Sequence, residues 1–179
     1  MKKKEKENLF YATQKISGIN FKVFSSKKGI RNIFLNKNST IKNVNTTRLR
    51  ADDPFMFNVF TQLEEYFKGE RKKFNLPIDL KGTSFQKKVW NELNKIPYGK
   101  IVSYKKIAEK IGNKKALRAV GRANSQNPVC IVIPCHRVVN ANGKLGGYSA
   151  GLKVKERLLE LEGSLSMELF ECKGTNPIF

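Results

Sequence analysis

Residues 129–140 read VCIVIPCHRVVN, a nearly continuous apolar run that sets a thiol beside an imidazole at Cys135 and His136, flanked by Pro134 and Arg137. A thiol attacks only as its thiolate, so an imidazole able to take its proton is the simplest activator. The run predicts an extended segment, in which neighbours point to opposite sides and the two groups need not touch. A cysteine in an apolar run is equally at home as an inert core residue. Cys130, in the same run without polar neighbours, takes that role.

A third group lies downstream in GLKVKERLLELEG, residues 151–163. At about 100° per residue, Leu152, Val154, Leu158, Leu159 and Leu161 define one apolar arc, and Glu162 falls between Leu158 and Leu159. Glu162 also ends the helix just before Gly163, where the helix dipole disfavours negative charge by about 0.3–1 kcal/mol. A carboxylate that breaks two local rules needs a partner. His136, the sole histidine of the chain, is one; Lys155, on the same helix face, is the structural alternative. With His136 the set becomes a nucleophile, a base and a carboxylate that orients the base.

The charge balance points to what such a thiol would meet. The chain has 35 Lys and Arg against 15 Asp and Glu, a net charge of +20, and a polyanion such as nucleic acid is the natural partner. Residues 95–144 hold 11 basic side chains and one acid, Glu109. Within that window KKALRAVGRANSQ predicts a helix over 114–126, capped by Asn113. Its apolar face would carry Ala116, Leu117, Ala119, Val120 and Ala123, and its basic face Lys114, Lys115, Arg118 and Arg122. Four cations without an interleaved acid repel one another, which favours phosphate contact over a merely solvated surface. SYKKIAEKIG, capped by Ser103, makes a shorter helix before it, and two short helices about a tight GN turn resemble a helix-turn-helix.

Elements of other kinds frame this region. Ile16 to Phe24 and Ile30 to Leu35 predict strands about an SSKKG turn. DDPFMFNVFTQLEEYFKGE predicts a helix with Asp53 as N-cap, Pro54 at its first position and Gly69 at its end. ERKKFNLPIDLKGT reads as a linker. Thr83 and Gln86 then form a capping-box pattern ahead of a stripe of Phe85, Val89, Trp90 and Leu93. The expected organisation is an α/β domain with linker over 1–82, a DNA-binding and catalytic domain over 83–163, and a tail over 164–179. A hydrophobic content of 40% supplies a core. No run reaches signal-peptide or membrane-span length, and the three cysteines leave one unpaired, so the expected setting is the cytoplasm, or the nucleus of a eukaryote. One histidine and no CxxC pair leave a zinc site short of ligands.

IPCHRVV, with GNKKALRAVGRANSQNPV upstream and GGYSAGLKVKERLLELEG downstream, closely resembles the O6-alkylguanine-DNA alkyltransferases over about residues 83–163. The resemblance implies an α+β protein: an N-terminal domain of ribonuclease-H-like topology, then a helical, winged-helix-like domain with a helix-turn-helix. It implies a monomer that repairs double-stranded DNA containing O6-alkylguanine by moving the alkyl group irreversibly to its own Cys135, once, without a cofactor; activity on O4-alkylthymine stays open. By the same resemblance His136 acts as base through a water, Glu162 orients it, and Asn127 braces the active-site turn. Arg118 would fill the space left by the flipped nucleotide. Tyr104 would donate to the guanine and displace the phosphate, while Ser149 and the backbone at Cys135 and Val138 hold the base edge.

Two rivals remain at this level. An alkyltransferase-like protein binds damaged DNA without repair, but such proteins lack the acceptor cysteine that stands here at 135. A Cys-His-Glu hydrolase would act on acyl groups, and leaves the basic helix unexplained.

Overall fold

The computed structural model describes residues 6–165, and the chain divides between Lys81 and Gly82 into two compact units. In the first, strands β1 (Glu7–Ile16), β2 (Ile19–Ser26), β3 (Gly29–Leu35) and β4 (Val44–Arg48) form one sheet in the order β3-β2-β1-β4. The pairs β1/β2 and β2/β3 are antiparallel, and β4 runs parallel to β1. The strand expected from Ile16 to Phe24 is interrupted: Ser17 and Gly18 both take positive φ, 48° and 80°, and close the tight β1/β2 hairpin. Helix α1 (Pro54–Phe67) starts as expected, with the Asp53 carboxylate accepting from the backbone N–H of Phe55 and Met56 at 3.1 and 3.2 Å. It buries Met56, Val59, Phe60, Leu63 and Tyr66 and packs on β1.

Most of the expected linker is not free. The Ile30 N–H donates to the Pro77 carbonyl and the Asp79 N–H to the Ile30 carbonyl, both at 2.8 Å, so residues 77–79 bridge the start of β3. The approach is so close that a Cβ on Gly29 would lie 2.4 Å from the Pro77 oxygen. Backbone pairing, which composition does not reveal, fixes this polar stretch to the first unit.

In the second unit, α2 (Ser84–Asn94) carries the full capping box between Thr83 and Gln86 and buries Val89, Trp90 and Leu93. The Trp90 indole donates to the Ala123 carbonyl at 2.8 Å, joining α2 to α4 (Leu117–Ser125). Helix α3 (Tyr104–Lys110) is capped by Ser103, whose hydroxyl accepts from the Lys106 N–H. Strands β5 (Val102–Ser103) and β6 (Val138–Val139) pair in parallel, and α5 (Leu152–Leu161) follows. No helix among the described residues is long and apolar enough to cross a membrane.

Three expectations are corrected here. Helix α4 begins at Leu117, not at 114, and Ala116 rather than Asn113 is its cap; Lys114 and Lys115 lie in the preceding turn. Two adjacent cations face the positive end of the helix with no acid in its first turn, which favours the turn. Leu117 and Ala119 are exposed, and the buried face is Val120, Ala123 and Asn124 instead. Leu152 likewise is exposed at the start of α5, because the packed arc begins a turn later with Lys155.

Candidate functional site

The run 129–140 does not stay extended. Cys135–Arg137 forms one turn of 3-10 helix, entered through Pro134. The turn aims Cys135, His136 and Arg137 into the second unit, all buried, where an extended strand would have sent the middle one outward. Asn127 holds the approach: its amide donates to the Ile133 carbonyl at 2.7 Å, and its carbonyl oxygen accepts from the Val129 N–H at 3.1 Å. Asn124, one turn earlier on α4, donates to the Cys135 carbonyl at 3.4 Å.

Glu162, the C-cap residue just after α5, meets His136 rather than Lys155. His136 Nε2 lies 2.9 Å from Glu162 Oε1. Arg137 binds the same carboxylate from the other side, Nε to Oε2 at 2.8 Å and Nη2 to Oε1 at 2.9 Å. The bidentate guanidinium keeps Glu162 ionised and acceptor-only, so Nε2 carries the proton and donates. His136 Nδ1 is then an acceptor, with no protein partner among the described residues. Burial first, then the charges of Arg137 and Lys155, hold the imidazole below its usual pKa against the pull of Glu162, so it is neutral at pH 7.

The thiol of Cys135 is also buried, and burial pushes its pKa up. Hydrogen bonding by Asn127, the positive charge of Lys155 and hydrogen bonding by Tyr148 oppose that rise. Tyr104, the first residue of α3, is pushed up by burial and by its nearness to Cys135, so its hydroxyl is a donor at neutral pH.

Beside this cluster opens a cleft of about 670 Å³, lined by Tyr104, Arg118, Gly121, Asn140, Tyr148 and Ser149 among others. That volume suits a small organic ligand. Cys135 does not line the cleft itself; Tyr104 and Tyr148 are the cleft residues that interact with it. Gly146 (φ 67°) lies close behind Tyr104, where a Cβ would come within 3.3 Å of the Tyr104 ring. Val138 is buried in β6, with its carbonyl accepting from Lys155. Arg118 and Arg122 are exposed on α4, with Lys114 and Lys115 exposed in the turn before it. Among the described residues no three His, Cys, Asp or Glu side chains stand close enough to hold a metal.

Sequence reasoning gave no role to Arg137 or Asn124, and kept Lys155 only as a structural alternative partner for Glu162. Arg137 had a signal: an arginine inside an apolar run requires a buried anion, and Glu162 was already in want of a cation.

Comparison with known proteins gives the family. Residues 84–164 match the 6-O-methylguanine DNA methyltransferase DNA binding domain, and residues 10–80 match the ribonuclease-like domain of the same family. A methylated-DNA–protein-cysteine methyltransferase of Methanosarcina acetivorans is 55% identical over 113 residues, spanning 63% of this chain and 72% of the relative. One from Methanosarcina mazei is 45% identical over 136 residues, 76% of this chain and 85% of that one. A crystal structure of Mycobacterium tuberculosis OGT in complex with DNA superposes with a TM-score of 0.77 at 38% identity, covering 90% of this chain and 99% of that one. With a thiol, a neutral imidazole and an ionised carboxylate in one buried unit, and both halves of the chain matched by paired domains of one family, this protein belongs to the 6-O-methylguanine DNA methyltransferases.

Proposed function

We propose that this protein repairs DNA by taking the alkyl group of O6-alkylguanine onto Cys135. The observation that carries the reading is the buried sequence Cys135, His136, Glu162 beside a cleft of about 670 Å³ in a strongly basic unit. Glu162 accepts from Nε2 and leaves Nδ1 as the basic atom, able to take the thiol proton through one water. The thiolate attacks the alkyl carbon; the carbon–O6 bond breaks and its electron pair leaves with the guanine, which takes a proton from Tyr104. The product is a thioether, which water does not cleave, so each molecule acts once.

A guanine inside the duplex cannot reach a buried sulfur and must be flipped out, at a cost of a few kcal/mol. Arg118, exposed on α4 at the rim of the cleft, fills the vacated stack. α3, the turn 111–116 and α4 act as a helix-turn-helix, with Arg122, Lys114 and Lys115 on phosphates. Ser149 and the backbone at Val138 and Cys135 meet the base edge, and Asn127 braces the turn. In the first unit, the order β3-β2-β1-β4 with β1 and β4 parallel supports a ribonuclease-H-like topology.

Incubation with O6-benzylguanine tests the reading: a benzyl thioether on Cys135 is expected. Unmodified protein would indicate a binder of damaged DNA, and turnover of acyl esters a hydrolase.

A further inference from the structure

Lys155 is the most anomalous residue of the second unit. A lysine in the middle of α5 is 0% exposed, although burying an ammonium is costly unless it is paired. The ammonium donates to two neutral acceptors, the carbonyl of Val138 at 2.7 Å and the carbonyl of Leu145. No carboxylate pairs with it among the described residues, whereas the equally buried Arg137 is neutralised by Glu162. The positive charge of Lys155 is therefore uncancelled, and the anion that can form nearby is the Cys135 thiolate.

We propose that Lys155 is a positioning residue of the transfer site: its ammonium ties β6 to the loop leading to Tyr148 and Ser149, and its charge steadies the Cys135 thiolate. This rests on the alkyl-transfer reading above. The two carbonyls it joins belong to β6 and to the loop that leads into the cleft, so the tie sets the spacing between Val138 and that loop. The charge coupling runs both ways. Burial pulls the Lys155 pKa down to about 8 while Cys135 opposes that fall, and Lys155 opposes the burial-driven rise at Cys135. The other charged or titratable groups around the pair are His136 and Arg137 from the 3-10 turn, Glu162 at the end of α5, Tyr104 from α3 and Tyr148 from the loop. Glu162 and Arg137 are committed to each other. Lys155 thus differs from a structural lysine in what its removal does to the titration of the sulfur.

The test is benzyl transfer from free O6-benzylguanine, followed against pH in the full chain and in Lys155→Met, which keeps the length of the side chain but removes the ammonium. The expected result is a pH midpoint raised by about one unit or more, with transfer at pH 7 slower by about tenfold or more. A variant that is slower at every pH with an unmoved midpoint would reduce Lys155 to a structural tie and overturn the proposal. Should Lys155→Met not fold, NMR titration of the lysine ammonium groups decides: the Lys155 midpoint is expected lower in Cys135→Ala than in the unsubstituted protein, and identical midpoints would overturn the coupling. Failure of the unsubstituted protein to take up benzyl would instead defeat the alkyl-transfer reading.

Discussion

Each unit of this protein contains an arginine held between strands and helices by carboxylates, and the two arginines do different things. In the first unit Arg31 reaches Glu7 and Asp79, both at 2.5 Å, and Asp79 also accepts from the Ser26 hydroxyl. Glu7 is 40% exposed, so water shares the cost of its charge, and no thiol or imidazole is present. The cluster joins β1, β2, β3 and the segment at Asp79, and it can be understood as a tie. In the second unit Arg137 meets a carboxylate that is 0% exposed, and the same carboxylate holds the imidazole beside a thiol. Burying an ion pair that completely is rarely favoured over apolar packing for stability alone. The contrast teaches that the isolation of the charge and its company, rather than the ion pair itself, mark the functional site.

The comparison is most easily broken at the arginines. Arg137→Met leaves Glu162 buried without its cation, and the second unit is expected to lose about 3–5 kcal/mol. Arg31→Met leaves Glu7 in water and Asp79 still bonded to Ser26, and is expected to cost about 1 kcal/mol with transfer chemistry unchanged. Chemical denaturation checks both. Trp90, the sole tryptophan, reports the second unit, and circular dichroism reports the sheet. Equal losses would erase the distinction between tie and site.

Glu162→Gln sharpens it on the chemical side. The amide keeps the shape but surrenders the charge that orients and supports His136, and single-turnover transfer is expected to slow by about a hundredfold with DNA affinity nearly unchanged. An unaltered rate would make Glu162 a structural residue like Asp79. Arg118→Ala should act more narrowly. Repair of duplex substrate is expected to fall by about tenfold, an extrusion cost of about 1.4 kcal/mol, while reaction with free O6-benzylguanine holds. Equal losses on both substrates would remove Arg118 from base extrusion.

How much of this was legible in the sequence follows the range of each interaction. The Asp53 cap and the Thr83/Gln86 box depend on residues three apart, and both appear where expected. Glu162 was legible because it violated its own helix twice. Strands β1 and β4 pair residues 37 apart in the chain, Glu7 with Val44 onward, and β4 has few apolar side chains to announce it. The burial of Lys155 was only half legible: it shares the helix face of Glu162, but a lysine reads as solvent-facing unless its acceptors are known, and those are backbone carbonyls with no sequence signature. The exposed Leu117 and Leu152 misled the helix wheels because periodicity describes a helix alone, and each lies in the first turn of its helix.

Acid gives the smallest and most graded contrast. The folded second unit keeps His136 neutral, with a pKa below the ordinary 6.5, so its unfolded form binds the extra proton first and stability falls as pH drops from about 6.5. In the first unit, Glu7 is held below its usual 4.5 chiefly by the Arg31 hydrogen bond. Asp79 is held below 3.8, burial being outweighed by Ser26 and Arg31. Those carboxylates contribute stability above their unfolded values and lose it only as pH falls below about 4. Trp90 emission is therefore expected to change at higher pH than the signal of the sheet; one shared transition near pH 4 would contradict this.

The central claim is that the thiol of Cys135, and no other group, ends as the alkyl carrier. Its most direct test is intact mass and peptide mapping after the full chain meets excess duplex DNA containing O6-methylguanine. The account predicts a burst that stops at one methyl group per molecule, all of it on Cys135, and none in Cys135→Ala although that variant still binds DNA in a steeply salt-dependent manner. Repair continuing past one equivalent, or methyl groups found on Cys130 or on Cys172, which lies outside the described residues, would contradict it.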